Sequence, residues 1–241
     1  MLHLVSGDMG LKAWDRAGLP GQALVWRDSP AMGPWEPDPA RRAALRASFW
    51  GLPESTVAFR DEEVALQAIG QAGAAVLWFS DEPWDQMAQL WVVARLTRMP
   101  SLPALERALL REGGSGVPPA AMGAALAGRL PLTLEDREEA ARLWDRFEAG
   151  DWPGLRQWLD QGRALDSLPW LGPALTRVLE DRPPHVPGRT ERQVRDLMAA
   201  GVADLSGMMR ALAALEAPYG MAWYGDLVVR NLMTRIRARS T

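Results

Sequence analysis

Three polar clusters each follow directly on an apolar run: Ser6-Gly7-Asp8, Arg27-Asp28, and Ser80-Asp81-Glu82 with Asp85. Carboxylates gathered from three such places could hold a divalent cation, act as a general base or bind a ribose-like hydroxyl. Arg27 could clamp a carboxylate or phosphate. The same residues have an architectural use: Asp8, Asp81 and Asp85 can cap helices, and Arg27 can neutralise Asp28 or another neighbour. The stretch "SGDMGLK" lacks the three-glycine spacing of a dinucleotide loop and the Lys-Ser or Lys-Thr ending of a phosphate loop. Gly7 and Gly10 would still let backbone amides approach an anion, although Asp8 opposes a bare phosphate unless a metal intervenes.

Composition removes whole classes of chemistry. Cysteine is absent, which excludes disulfides, thiolate nucleophiles and cysteine-ligated zinc or iron–sulfur clusters. The only histidines are His3, inside an apolar run and expected to be packed, and His185, in a proline-rich connector and expected at the surface. A multi-histidine metal centre or a histidine-based triad has little to draw on. The cofactor is left open; a metal, if there is one, would be a divalent hard cation on carboxylates.

The elements that must position these residues show a βα rhythm. "LHLVSG", "ALVWRD" and "AAVLWFSD" read as strands, each followed by a helix-start signal. Asp38-Pro39 opens a helix to about Trp50, Asp61-Glu62-Glu63 a second to about Gln71, and Asp81-Glu82-Pro83 a third to about Arg98. Leu105 to Leu110 fits a fourth strand or a helix equally. In an open parallel sheet, ligands bind beyond the carboxyl ends of the strands, where the three polar clusters fall. Between the second strand and the first of these helices runs "WRDSPAMGPWEPDP", Trp26 to Pro39. Its prolines at 30, 34, 37 and 39 make it either a preformed wall over that crevice or a structured crossing loop.

Beyond a turn-rich stretch from Arg111 to Pro119 the strand pattern fades. From Thr133 the chain reads as helices: one opened by the "TLED" capping box, one by Asp151, one by Ser167, one by a second capping box from Thr190 to Gln193, and two more near 204–216 and 226–239. The expected fold is an α/β N-terminal domain over residues 1–128 with a mainly parallel, Rossmann-like sheet. A mainly α domain follows over 129–241, winged-helix-like at its end, with a wing around Pro218 to Tyr224.

Lys12 is the one lysine, and net charge is −3 overall. From Arg177 onward ten arginines face seven acids, so the last third is mildly basic. Arg189, Arg192, Arg195 and Arg235 are the residues there that could meet nucleic-acid phosphates. The apolar helix "GMMRALAALEA" offers only Arg210 for reading bases, which favours a packing or dimerisation module over DNA binding. No apolar run reaches the roughly 18 residues that a membrane span needs, and Asp8 comes too early for a secretory signal, so the expected address is the cytoplasm.

Taken in order, "LHLVSGD", "ALVWRDSPAMGP", "VLWFSDEPWDQMAQL", "LPWLGPALTRVLED" and "GRTERQVRDLMAAG" resemble the landmarks of a bacterial family, the domain of unknown function numbered eighteen thirty-five, with its uncharacterised C-terminal helical partner domain. The resemblance spans about residues 1 to 236. It rests on Gly7-Asp8, on Arg27-Asp28 with Gly33-Pro34, and on Asp85-Gln86, and it implies that Gln86 belongs to the site. The chain departs from the family pattern at Ser80-Asp81, where relatives often carry an acidic residue and then histidine. The segment after Arg98 is also short against the pattern. The family carries no assigned activity.

Two classes of function are therefore expected. One is a regulatory or adaptor protein that binds a small polar, nucleotide-like ligand and contacts a protein partner, or itself, through its helical part. The other is a metal-assisted hydrolase or transferase with an Asp-rich crevice; DNA binding through the C-terminal helices is a further alternative.

Overall fold

The computed structural model describes residues 1–51, 57–110, 117–216 and 225–240, with backbone alone at 57–61 and 240. Most of the turn-rich stretch, residues 111–116, and the expected wing, residues 218–224, lie outside the described residues.

The sheet has five strands in the order β2-β1-β3-β4-β5. β1 (Leu2–Ser6), β2 (Gln22–Trp26), β3 (Ala74–Trp78) and β4 (Ala104–Arg107) are parallel, and the two-residue β5 (Leu130–Pro131) closes the edge antiparallel to β4. The segment that fits strand or helix from Leu105 is thus strand β4. Register sets Val5 beside Trp78 and Leu4 beside Leu77. Since side chains alternate, the two pairs face opposite sides of the sheet. Val5 and Trp78 pack with Ala13 and Trp14 of α1 (Gly7–Ala17) and Met122 of α5 (Pro119–Ala127).

The other face carries α3 (Val57–Ala72), which lies against β1, β2 and β3, and α4 (Pro83–Thr97) against α3. α2 (Pro39–Trp50) starts where Asp38 accepts a hydrogen bond from the Arg41 amide at 2.8 Å. α3 begins at Val57, upstream of the expected Asp61-Glu62-Glu63 start, and Glu62 lies buried with Ala65, Leu66 and Ile69.

α6 (Leu134–Glu148), capped by Thr133 as its capping box implies, packs on α4. Trp144 of α6 is stacked on Trp91 of α4 at 6.0 Å, and Arg137 donates to the Pro103 carbonyl at 2.8 Å. α7 (Trp152–Asp160) begins at its Asp151 cap. These contacts tie residues 129–175 to the sheet, so the chain divides into compact units Met1–Leu175 and Thr176–Thr241 rather than between 128 and 129.

The second unit contains the end of α8 (Leu171–Leu179), then α9 (Arg189–Ala199), α10 (Leu205–Glu216) and α11 (Asp226–Ser240). Its interior is polar at one point. Arg177 is buried and donates to both oxygens of the fully buried Glu216 at 3.1 Å, and also to Asp181 and to Thr190 at 3.1 Å. Thr190 therefore does not cap α9 as its sequence context suggests; Gly188 occupies the cap position and the Thr190 hydroxyl is turned inward. Among the described residues no helix is long and apolar enough to cross a membrane.

Candidate functional site

The strand order creates one distinctive place. The chain leaves β1 toward β2 on one side and resumes at β3 on the other, the crossing point beyond which doubly wound sheets bind their ligands. Ser6 and Ser80 stand at those two strand ends, and α1 and α4 begin immediately beyond.

Asp85, in the first turn of α4, joins the two ends. Its Oδ1 accepts the Ser6 hydroxyl at 2.5 Å, and its Oδ2 accepts the Ser80 amide at 2.7 Å and the Ser80 hydroxyl at 2.8 Å. Gln86 donates from Nε2 to the Ser80 carbonyl at 2.5 Å. Burial pushes the Asp85 carboxyl up from its ordinary value, and the bonds from Ser6 and Ser80 hold it partly back. A small cavity with about 20 Å³ of open space lies beside this cluster, lined by Ser6, Ser80 and Asp85 on its polar side and Trp78 and Met122 on its apolar side. That is room for one water molecule.

Ser6, whose hydroxyl donates to Asp85, stands at the cap position of α1 but makes no side-chain cap; Glu82 likewise makes none at the start of α4. Gly7 sits at φ +65°, a left-handed turn that glycine adopts without strain, and no atom lies close enough to meet a Cβ there. The positive φ makes the turn itself a reason for glycine here.

The other acidic ends go elsewhere. Asp8 is exposed and pairs with Arg27, whose Nε and Nη2 donate to its Oδ1 at 2.9 and 2.8 Å. Asp28 turns into the interior, accepts the Ser29 amide at 2.8 Å and pairs with Arg46. Asp81 is half-buried beside Glu82. Ser6, Asp85 and Gln86 therefore come together with Ser80, while Asp8, Arg27 and Asp28 do not join them. The expectation of three acidic ends facing one point is corrected on this ground: each carboxylate already has its own partners. Among the described residues no group of three or more histidine or acidic side chains is placed to hold a metal ion.

No protein-family model, curated protein or solved structure matches the chain.

His3 is packed, as its place in the strand implies. Its Nδ1 accepts the Trp78 indole N–H at 3.0 Å, which leaves Nε2 to donate to the Pro20 carbonyl at 3.0 Å. Burial lowers its pKa and keeps the ring neutral. In the second unit, Arg189 is bound to Glu180 at 2.8 Å and to Glu216, Arg192 to the Pro187 carbonyl, and Arg195 to Glu191. Arg235 lies exposed on α11.

Glu82, which the sequence places in the third polar cluster, differs from the other acids of that cluster in its titration. It is half-buried at the start of α4, and burial, followed by the neighbouring charges of Asp85 and Asp81, raises its carboxyl from 4.5 to about 7. A carboxyl poised there can give or take a proton near neutrality. The sign of its effect on stability follows. The folded chain holds a proton that the unfolded chain releases, so the contribution is complete below pH 4.5 and is lost as pH rises toward 7. Glu82→Gln is expected to flatten that decline and to stabilise the N-terminal unit at pH 8. The gain is at most about 3 kcal/mol, less what solvent screening removes at this partly exposed position. Urea midpoints of both proteins from pH 4 to 8 check this; parallel curves would remove the argument.

Proposed function

We propose that the N-terminal unit binds a small polar, nucleotide-like ligand at the carboxyl edge of its sheet, in the crevice between β1 and β3. The observation that carries this reading is the paired start of α1 and α4 there, neither with a side-chain cap, on either side of the Ser6–Asp85–Ser80 bridge. First-turn amides without a side-chain acceptor, at the positive ends of two helices, suit a ligand rich in acceptor oxygens. The parallel order β2-β1-β3-β4 supports a doubly wound reading, for which ligands sit at the crossing point between β1 and β3. Glu82 beside it supplies a proton donor or acceptor for a hydroxyl or ring nitrogen. The resemblance to the uncharacterised bacterial family points to the same strand ends. In this reading the helical unit serves as an adaptor to a protein partner.

A metal-dependent hydrolase has less support, because Asp8, Asp28 and Asp85 are each engaged with separate partners. DNA binding has less support because Arg189, Arg192 and Arg195 are occupied within the unit.

Thermal shift against nucleotides and phosphosugars, with and without magnesium, tests the reading on wild type and Ser6→Ala. A ligand at a hundred times its Kd stabilises by about 2.7 kcal/mol, a rise of roughly 5–10 °C for a chain of this size. We expect one chemical class to give such a rise in the wild type and a smaller one in Ser6→Ala. If no compound moves the Tm at millimolar concentration, the crevice is not a ligand site.

A further inference from the structure

β2 is the outer strand of the sheet, with β1 on one side and, among the described residues, no strand on the other. Gln22 donates its amide to the Met1 carbonyl at 3.1 Å, which fixes the alternation along the strand. Gln22, Leu24 and Trp26 turn their backbone groups toward β1; Ala23 and Val25 turn theirs outward. The outer edge thus offers two N–H donors and two carbonyl acceptors, which no described backbone group meets. Side chains show the same asymmetry. His3, Leu4 and Val5 of β1 are at most 1% exposed, whereas their register partners Ala23, Leu24 and Val25 are only half-buried.

Edges of this kind are normally guarded by a charge, a proline, a bulge or a covering segment, because an open ladder otherwise recruits another strand. β2 has neither charge nor proline, and its register with β1 runs through all five residues without a bulge. The edge runs between α1 on one face and α3 on the other. Leu11 and Leu19 on the α1 side are half-buried, and Val64 of α3 is exposed.

A second copy of the same strand matches this edge donor to acceptor. In an antiparallel pair about a two-fold axis at Leu24, Ala23 lies opposite Val25 of the partner subunit, and Val25 opposite the partner's Ala23. Each pair exchanges two N–H···O bonds, so the four outward groups of each copy are all used. The flank is also large enough. β2 and α1 are each about 17 Å long and α3 about 24 Å, and a helix–sheet–helix flank is about 30 Å deep. Joining two such flanks covers on the order of 1,000 Å², the lower bound of a specific interface.

We propose that the N-terminal unit forms a symmetric dimer by antiparallel pairing of β2 with the β2 of a second copy, so that one sheet runs through both. The pairing is independent of the ligand reading, since the crevice between β1 and β3 lies on the other side of β1.

Sedimentation equilibrium of the full chain, from micromolar to several hundred micromolar, is expected to show a monomer–dimer equilibrium; a monomer throughout overturns the proposal. Amide hydrogen exchange locates the contact without any substitution. The Gln22 and Leu24 amides, which face β1, should be protected at every concentration. Those of Ala23 and Val25 should gain protection of about 100-fold or more as the dimer forms. A dimer in which they exchange as in the monomer overturns the pairing and places self-association on another surface. Leu24→Lys sets like charges opposite one another on the axis and should leave the chain monomeric over the same range. Ala23→Pro is the second variant. Its N–H faces outward, so proline there removes no bond to β1 yet withdraws a donor from the edge. Undiminished dimerisation of either folded variant overturns the proposal, and if neither folds, exchange on the wild type decides.

Discussion

Arg46→Ala is expected to destabilise the N-terminal unit by about 3–5 kcal/mol, the range for removing one partner of a buried ion pair. Arg46 is fully buried, pairs with Asp28, and donates to three carbonyls of the loop between β2 and α2. Its removal leaves an uncompensated Asp28 and several unpaired carbonyls, and it withdraws the cation from above the Trp50 ring at 5.6 Å. Arg46→Lys is expected to recover little, since a single ammonium cannot reach carbonyls at both Ser29 and Pro34 while holding Asp28 as a planar fork does. Arg46→Met combined with Asp28→Asn should recover part of the loss, because the buried charge disappears from both sides. Urea unfolding of the three variants checks the order. An Arg46→Ala loss below about 1.5 kcal/mol would mean that the loop is held by its prolines and not by this arginine.

That arginine also shows where sequence reading stops. The strands after residues 2, 22 and 74, the helix start at Asp38 and the cap at Thr133 were legible because periodicity and capping are local. The polar strand ends were legible as a set, and the loop from Trp26 to Pro39 as a long proline-rich crossing between β2 and α2. What joins to what was not. Asp8, Asp28 and Asp85 have one residue type and all follow a strand, the first two within two residues of its end and Asp85 in the first turn of the next helix. One faces solvent with Arg27, one enters the interior with Arg46, and one bridges Ser6 to Ser80. Local pattern cannot separate these fates, because Arg27, Arg46 and Ser6 each lie 18 or more residues from the carboxylate they meet. A signal for the buried arginines was nevertheless present. Arg42 and Arg46 share a stripe with Ala43, Ala47 and Trp50 on α2, so an i, i+4 arginine pair stood on the face that packs inward. Small neighbours make room for guanidinium groups that bond carbonyls. Arg137 and Arg177 show the same placement, each buried on an otherwise apolar helix face.

Asp85 separates architecture from chemistry at the proposed site. Asp85→Ala is expected to cost about 3–5 kcal/mol, because two hydroxyls and the Ser80 amide lose their acceptor in a place with room for one water at most. Asp85→Asn should cost no more than about 1.5 kcal/mol. With its oxygen placed at the Oδ2 position, asparagine still accepts both Ser80 bonds, and its amide nitrogen can donate to a Ser6 hydroxyl that rotates to accept. Burial also favours a neutral group where the carboxyl is already pushed upward. The two substitutions thus differ sharply if Asp85 is a clamp between β1, β3 and α4. If Asp85→Asn proves as damaging to folding as Asp85→Ala, the negative charge itself is required, and the clamp account fails. If Asp85→Asn folds normally yet loses the thermal shift given by a ligand that stabilises the wild type, the carboxylate works on the ligand as well as on the fold. Denaturant midpoints and ligand-induced Tm shifts, measured on the same three proteins, distinguish these outcomes.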